Sequence, residues 1–208
     1  MAACSPWASA WGRLEVAGLE ALPESGPVLL AGNHDSYMDP VVIGVAARRR
    51  RQIRALAKSS LWGVPGLGRI LDGMGQIPID RGKGDAHALD AAVAALRDGA
   101  CVGIFPEGTI SRGWTLRARS GVGRLALAVP EATLVCVAVT GSVDYPRFPK
   151  RPRTRVEFFL PATGQAGPGE EAAAIGVRLL GELRQRAPIV TGGRRRTAAK
   201  WRAQGELR

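Results

Sequence analysis

Only two histidines, His34 and His87, and three cysteines, Cys4, Cys101 and Cys136, occur in the 208 residues. Two imidazoles exclude a multi-histidine metal centre. The cysteines show none of the paired spacing of a disulfide framework or a zinc site. Cys101 and Cys136 fall inside apolar runs that read as core strands, which fits a reducing compartment. Aromatic residues make up 5% of the chain, without the pattern that stacks RNA bases. No apolar run reaches the roughly 18 to 20 residues needed to cross a bilayer. Met1 to Trp11 lacks the basic start and long apolar centre of a signal peptide. The expectation is a cytoplasmic protein whose membrane contact is peripheral, at the inner face of the cell membrane. Acidic residues are outnumbered, 18 against 29 lysines and arginines, for a net charge of +11. That excess favours an anionic partner: a phosphorylated substrate, an anionic lipid surface or a nucleic acid.

What the chain does have is a repeated alternation of strand and helix signals. Apolar runs at 27–31, 53–57, 101–105, 133–139 and 155–160 have the length and bounding turn residues of strands, and 13–18 alternates like an edge strand. Helical patterns follow at 41–51, 85–98, 121–128 and 170–186. The segment 58–71 mixes apolar residues with Gly63, Gly66 and Gly68 and reads as bent; an acyl-chain pocket, a membrane contact and the core are all open to it. The run Arg48 to Arg51 reads first as a solvated patch. This order implies an α/β fold, a central, largely parallel or mixed sheet flanked by helices. A single domain is expected over residues 1–190, with a basic, flexible tail at 191–208.

The richest stretch is Gly32-Asn33-His34-Asp35-Ser36-Tyr37-Met38-Asp39-Pro40. It lies between a strand signal and a helix signal, at the carboxyl end of a strand, where α/β sheets bind ligands. An imidazole there can take a proton from an alcohol as the alcohol attacks a carbonyl. A carboxylate on its other nitrogen fixes the tautomer and stabilises the imidazolium. Asp39 is the expected partner and Asp35 the rival, although Asp before Pro is also a common helix cap. Two further polar clusters follow strand signals. Arg81, between Asp80 and Gly82, is placed to hold a phosphate. Pro106 to Gly113 carries Glu107, Gly108, Thr109, Ser111 and Arg112, a loop able to orient a polyol phosphate. If the strands are parallel, the three clusters converge at one edge.

Taken in order, Asn33-His34 followed by Asp39, the block Gly75 to Arg81, Phe105-Pro106-Glu107-Gly108-Thr109 and Arg119-Ser120-Gly121 resemble the glycerolipid acyltransferase family that includes the 1-acyl-sn-glycerol-3-phosphate acyltransferases. The resemblance covers about residues 13–161. It implies acyl transfer from acyl-CoA or acyl-carrier protein to the hydroxyl of a lysophospholipid, with no metal or cofactor and no covalent acyl-enzyme. By the same resemblance His34 is the general base and Asp39 its orienting carboxylate. Asn33, Arg81, Glu107, Gly108, Thr109 and Arg112 then belong to the acceptor site. The third block departs from the family in carrying Ile110 where Arg commonly follows Thr. Two alternatives stay open: an acyltransferase for another lipid or a secondary-metabolite acceptor, and an inactive scaffold that binds a lipid surface or, less favoured, nucleic acid.

Overall fold

The computed structural model describes residues 13–79, 86–145 and 151–190, and the side chains of all of these except 86–88. Among these residues seven strands, β1 (Leu14–Ala17), β2 (Val28–Gly32), β3 (Ile53–Lys58), β4 (Ile77–Ile79), β5 (Cys101–Ile104), β6 (Thr133–Thr140) and β7 (Thr154–Phe159), form one sheet. Its order is β1-β7-β6-β2-β5-β3-β4. Neighbours from β6 to β4 are parallel. β7 runs antiparallel to β6, and β1 parallel to β7, so the sheet is mixed. Among the described residues five α-helices accompany it: α1 (Asp39–Ala47), α2 (Leu67–Gly73), α3 (Ala86–Arg97), α4 (Gly121–Ala128) and α5 (Ala172–Arg186).

β2 is central because its five residues, Val28-Leu29-Leu30-Ala31-Gly32, are all buried. An uninterrupted apolar run of this kind suits a parallel strand covered on both faces. Successive side chains point to opposite faces. Val28 and Leu30 pack with α1 and with Val135, Val137 and Phe158. Leu29 and Ala31 pack on the other face with Leu96 of α3, Val122 and Leu125 of α4, and Ile175, Leu179 and Leu183 of α5. The sheet is therefore the middle of three layers.

Three local readings are revised. The helix expected at 41–51 ends at Ala47, whose carbonyl accepts from the N–H groups of both Arg50 and Arg51, at 2.8 and 2.9 Å. The arginine run is not simply a solvated patch. Arg50 donates to the Leu22 carbonyl. Arg51 donates to the carbonyls of Pro23, Gly26 and Gly99 at 3.1, 2.9 and 2.7 Å, tying together the loops that enter β2 and β5. The segment 58–71 forms a short 3₁₀ turn, Ser59–Gly63, and then α2. It does not enter the core: Leu61, Val64 and Ile70 are 38%, 46% and 57% exposed.

α5 approaches α4 so closely that a Cβ on Gly123 would lie 2.0 Å from the Ala172 carbonyl oxygen. Gly→Ala inside a helix ordinarily gains up to about 1 kcal/mol. Here the obstacle is backbone, and overpacking costs about 1–3 kcal/mol. Gly123→Ala is therefore expected to lower the unfolding midpoint in urea; an unchanged or raised midpoint would show that α5 moves away freely.

Candidate active site

Because β5, β2 and β6 are adjacent and parallel, their carboxyl ends deliver three loops to one edge of the sheet. Asn33 joins two of them. Its amide donates to the Val139 carbonyl at 2.9 Å and its carbonyl accepts from the Val139 N–H at 2.7 Å, extending the β2–β6 ladder with a side chain. His34 follows at the start of the loop. Its ring stacks on Phe105, just beyond β5, with centroids 4.1 Å apart and planes at 15°. Gly32 makes room for that ring, since a Cβ there would meet Phe105 Cε1 at 3.3 Å and Val137 Cγ1 at 3.1 Å.

Asp39 is the centre of the loop and is fully buried. Its Oδ2 lies 3.1 Å from His34 Nδ1 and accepts from the N–H groups of Asp35 and Ser36 at 2.6 and 2.7 Å. Its other oxygen accepts from the Ser142 hydroxyl, beyond β6. The helix cap expected of Asp39 is not made. Asp39 is already the first helical residue, and its carboxylate folds back onto the amides that precede the helix. With Nδ1 turned to the carboxylate, the neutral imidazole carries its proton there, and Nε2 is left as the proton acceptor. A hydroxyl seated at Nε2 would meet an oriented base.

Asp35, the rival partner, points elsewhere. It accepts from Asn33 Nδ2 at 2.9 Å, from the Ser111 hydroxyl, and from both terminal nitrogens of Arg184 at 2.8 and 3.1 Å. Glu107 is 2% exposed. It accepts from the His34 N–H at 2.7 Å and from Arg184. The Ser111 N–H donates to the His34 carbonyl at 2.7 Å. Burial pushes Asp35 upward, but the Arg184 guanidinium outweighs it, with help from Ser111 and Asn33, and holds the carboxyl below its ordinary range. For Glu107 burial prevails over Arg184 and the His34 amide, and its carboxyl lies above the ordinary range.

Of the other residues named from the sequence, Gly108 takes a left-handed conformation, φ +68°, against the side chain of Arg119. Thr109 is exposed and Arg112 half-buried. Arg112 has φ +53°, which costs a non-glycine residue about 1–2 kcal/mol. Ile110 is 8% exposed and turned into the protein. Arg81, with Asp80, lies outside the described residues, as do the tail at 191–208 and Cys4. Cys101 and Cys136 are buried, and burial pushes both thiols up to about 12, so neither is a nucleophile. Sequence reasoning passed over Arg184 and Ser142. Ser142 could have been found, since it follows β6 as the polar clusters follow β2 and β5. Arg184 carries no local signal: it stands in the charged last turn of α5, 149 positions from Asp35.

A buried histidine–carboxylate pair at the carboxyl edge of a mixed α/β sheet is an arrangement suited to hydroxyl chemistry. The model of the Acyltransferase family matches residues 13–140, and the chain belongs to that family. It is 35% identical over 118 residues to the 1-acyl-sn-glycerol-3-phosphate acyltransferase of Borreliella burgdorferi, covering 55% of this chain and 46% of that one. Against the Bacillus subtilis protein of the same name it is 30% identical over 98 residues, covering 47% and 49%. The chain thus spans about half the length of these relatives. The crystal structure of the 1-acyl-sn-glycerophosphate acyltransferase PlsC from Thermotoga maritima shares the fold, with a TM-score of 0.66 over 90% of this chain and 77% of that one, at 17% identity.

The depressed Asp35 pKa has a consequence for acid stability. Its stabilisation is present above the ordinary value near 3.8 and is lost as pH falls through the lower native value. Asp35→Asn lacks this contribution, whereas Glu107 is common to both proteins. The gap in Tm between wild type and Asp35→Asn is expected to narrow between about pH 6 and about pH 3. Calorimetry across that range checks it; a gap that widens would contradict it.

Proposed function

We propose that this chain transfers a fatty acyl group from a thioester, acyl-CoA or acyl-carrier protein, to the free hydroxyl of a lysophospholipid, with 1-acyl-sn-glycerol-3-phosphate as acceptor and phosphatidic acid as product. The observation that carries the reading is the buried Asp39–His34 pair, 3.1 Å apart, in a chain of the acyltransferase family. His34 Nε2 takes the hydroxyl proton as the oxygen attacks the thioester carbonyl. Asp39 stabilises the imidazolium. Collapse of the tetrahedral intermediate breaks the C–S bond, and His34 returns the proton to the departing thiolate. No covalent acyl-enzyme is required, because the thioester is already activated and positioning supplies the rest.

Glu107 shapes this site through the His34 backbone, and Asn33 through β6. Gly108, Thr109 and Arg112 face the acceptor, with Arg112 and Arg81 as ligands for its phosphate. No helix among the described residues is long and apolar enough to cross a membrane. Peripheral contact fits the exposed Leu61, Val64 and Ile70, together with Arg69 beside them and the Tyr37 ring, 76% exposed, in the His34 loop.

His34→Ala is expected to lower thiol release from long-chain acyl-CoA by about 10² to 10⁴-fold while the circular dichroism spectrum is retained. Wild-type turnover in that variant would end the assignment. A second reading keeps the chemistry and changes the acceptor. It is favoured by Ile110, which is buried where relatives commonly carry an arginine. His34-dependent release that is indifferent to 1-acyl-sn-glycerol-3-phosphate would select it.

A further inference from the structure

We propose that Arg184 is a positioning residue for acyl transfer, a clamp from α5 that fixes the backbone of His34. The proposal rests on His34 being the base. Both hydrogen-bonding groups of the His34 backbone lead to this one guanidinium. The N–H donates to Glu107 Oε2 at 2.7 Å, and Glu107 Oε1 is held by Arg184. The carbonyl accepts from the Ser111 N–H at 2.7 Å; the Ser111 hydroxyl donates to Asp35, whose two oxygens Arg184 grips at 2.8 and 3.1 Å. The three side chains are 15%, 10% and 0% exposed for Arg184, Asp35 and Glu107, so little water competes.

The geometry requires a guanidinium. Its planar fork reaches two carboxylates at once, which a lysine ammonium on a single point cannot reproduce. With both carboxylates on it, Arg184 is committed inward and is not a phosphate ligand. Without it, Asp35 and Glu107 face each other in a buried site with one compensating charge removed. The loops after β2 and β5 then lose their common anchor. His34 keeps Asp39, but the ring moves relative to the bound thioester. A displacement near 1 Å at a reacting group can cost about 10²-fold in rate.

The test uses the full chain, with long-chain acyl-CoA and 1-acyl-sn-glycerol-3-phosphate, and Arg184→Lys, Arg184→Ala, Glu107→Gln and His34→Ala beside wild type. Arg184→Lys should lower kcat about 10- to 100-fold with KM for both substrates little changed. Millimolar guanidinium ion should restore part of the kcat of Arg184→Ala. Glu107→Gln should cost much less in the Arg184→Lys background than alone, since the two act as one unit. Amide hydrogen exchange gives a reading independent of turnover and acceptor: the His34 N–H should lose protection in Arg184→Lys while the β6 amides keep theirs. Normal kcat per folded molecule with only a lowered Tm would reduce Arg184 to a structural ion pair. A raised KM for the phosphorylated acceptor alone would make it a substrate ligand. Unchanged His34 protection in a folded Arg184→Lys would also overturn the proposal. Full activity in His34→Ala would instead remove the base assignment, a result separable from all of these.

Discussion

A carboxylate with no access to water governs this site. Asp39 is 0% exposed, and a buried charge is tolerated only when its oxygens are fully engaged. Four donors from two strand ends meet that demand: the Asp35 and Ser36 amides, the His34 ring and the Ser142 hydroxyl. Two of them lie on adjacent peptides, which forces the tight turn between β2 and α1. Another requires β6 to end beside β2. The orientation of the imidazole is thus a by-product of satisfying a charge that cannot be left alone.

The same logic recurs one layer out. Asp35 and Glu107 are withdrawn from water as well, and a single arginine from the far end of the chain serves both. Buried ion pairs of this kind contribute little net stability, because desolvation consumes most of the attraction. Here they join elements that lie far apart in the chain. The site is therefore assembled at two levels: a turn that makes the His–Asp pair, and a clamp that ties the turn to the β5 loop and to α5.

Positive charge is put to two uses. Arg50 and Arg51 are turned to the protein itself and bind loop carbonyls near the amino ends of β2 and β5. Elsewhere Arg69 and Arg119 remain exposed, one beside the apolar α2 segment and one across Gly108. Counting arginines could not separate these uses, because the carbonyls that Arg51 binds lie 25, 28 and 48 positions away.

By itself the sequence determined most of the strand and helix order, β2 among the strands, and the expected His34–Asp39 pair, because these depend on periodicity and on residues five positions apart. It also marked the bent segment at 58–71, through its glycines, and the second polar loop at 106–113. It named Asp39 as the partner of the imidazole with Asp35 as the rival, but it misread both the end of α1 and Asp39 as a cap. Those answers depend on where a carboxylate finds its donors. Only the tertiary structure decided that Asp35 and Glu107 turn toward α5, that Ser142 completes the Asp39 shell, and that Arg184 belongs to the site. Their partners come from sheet neighbours and a helix more than 70 residues away. Local pattern carries no record of such contacts; the fold makes them when it brings three parallel strand ends and the last turn of α5 to one edge.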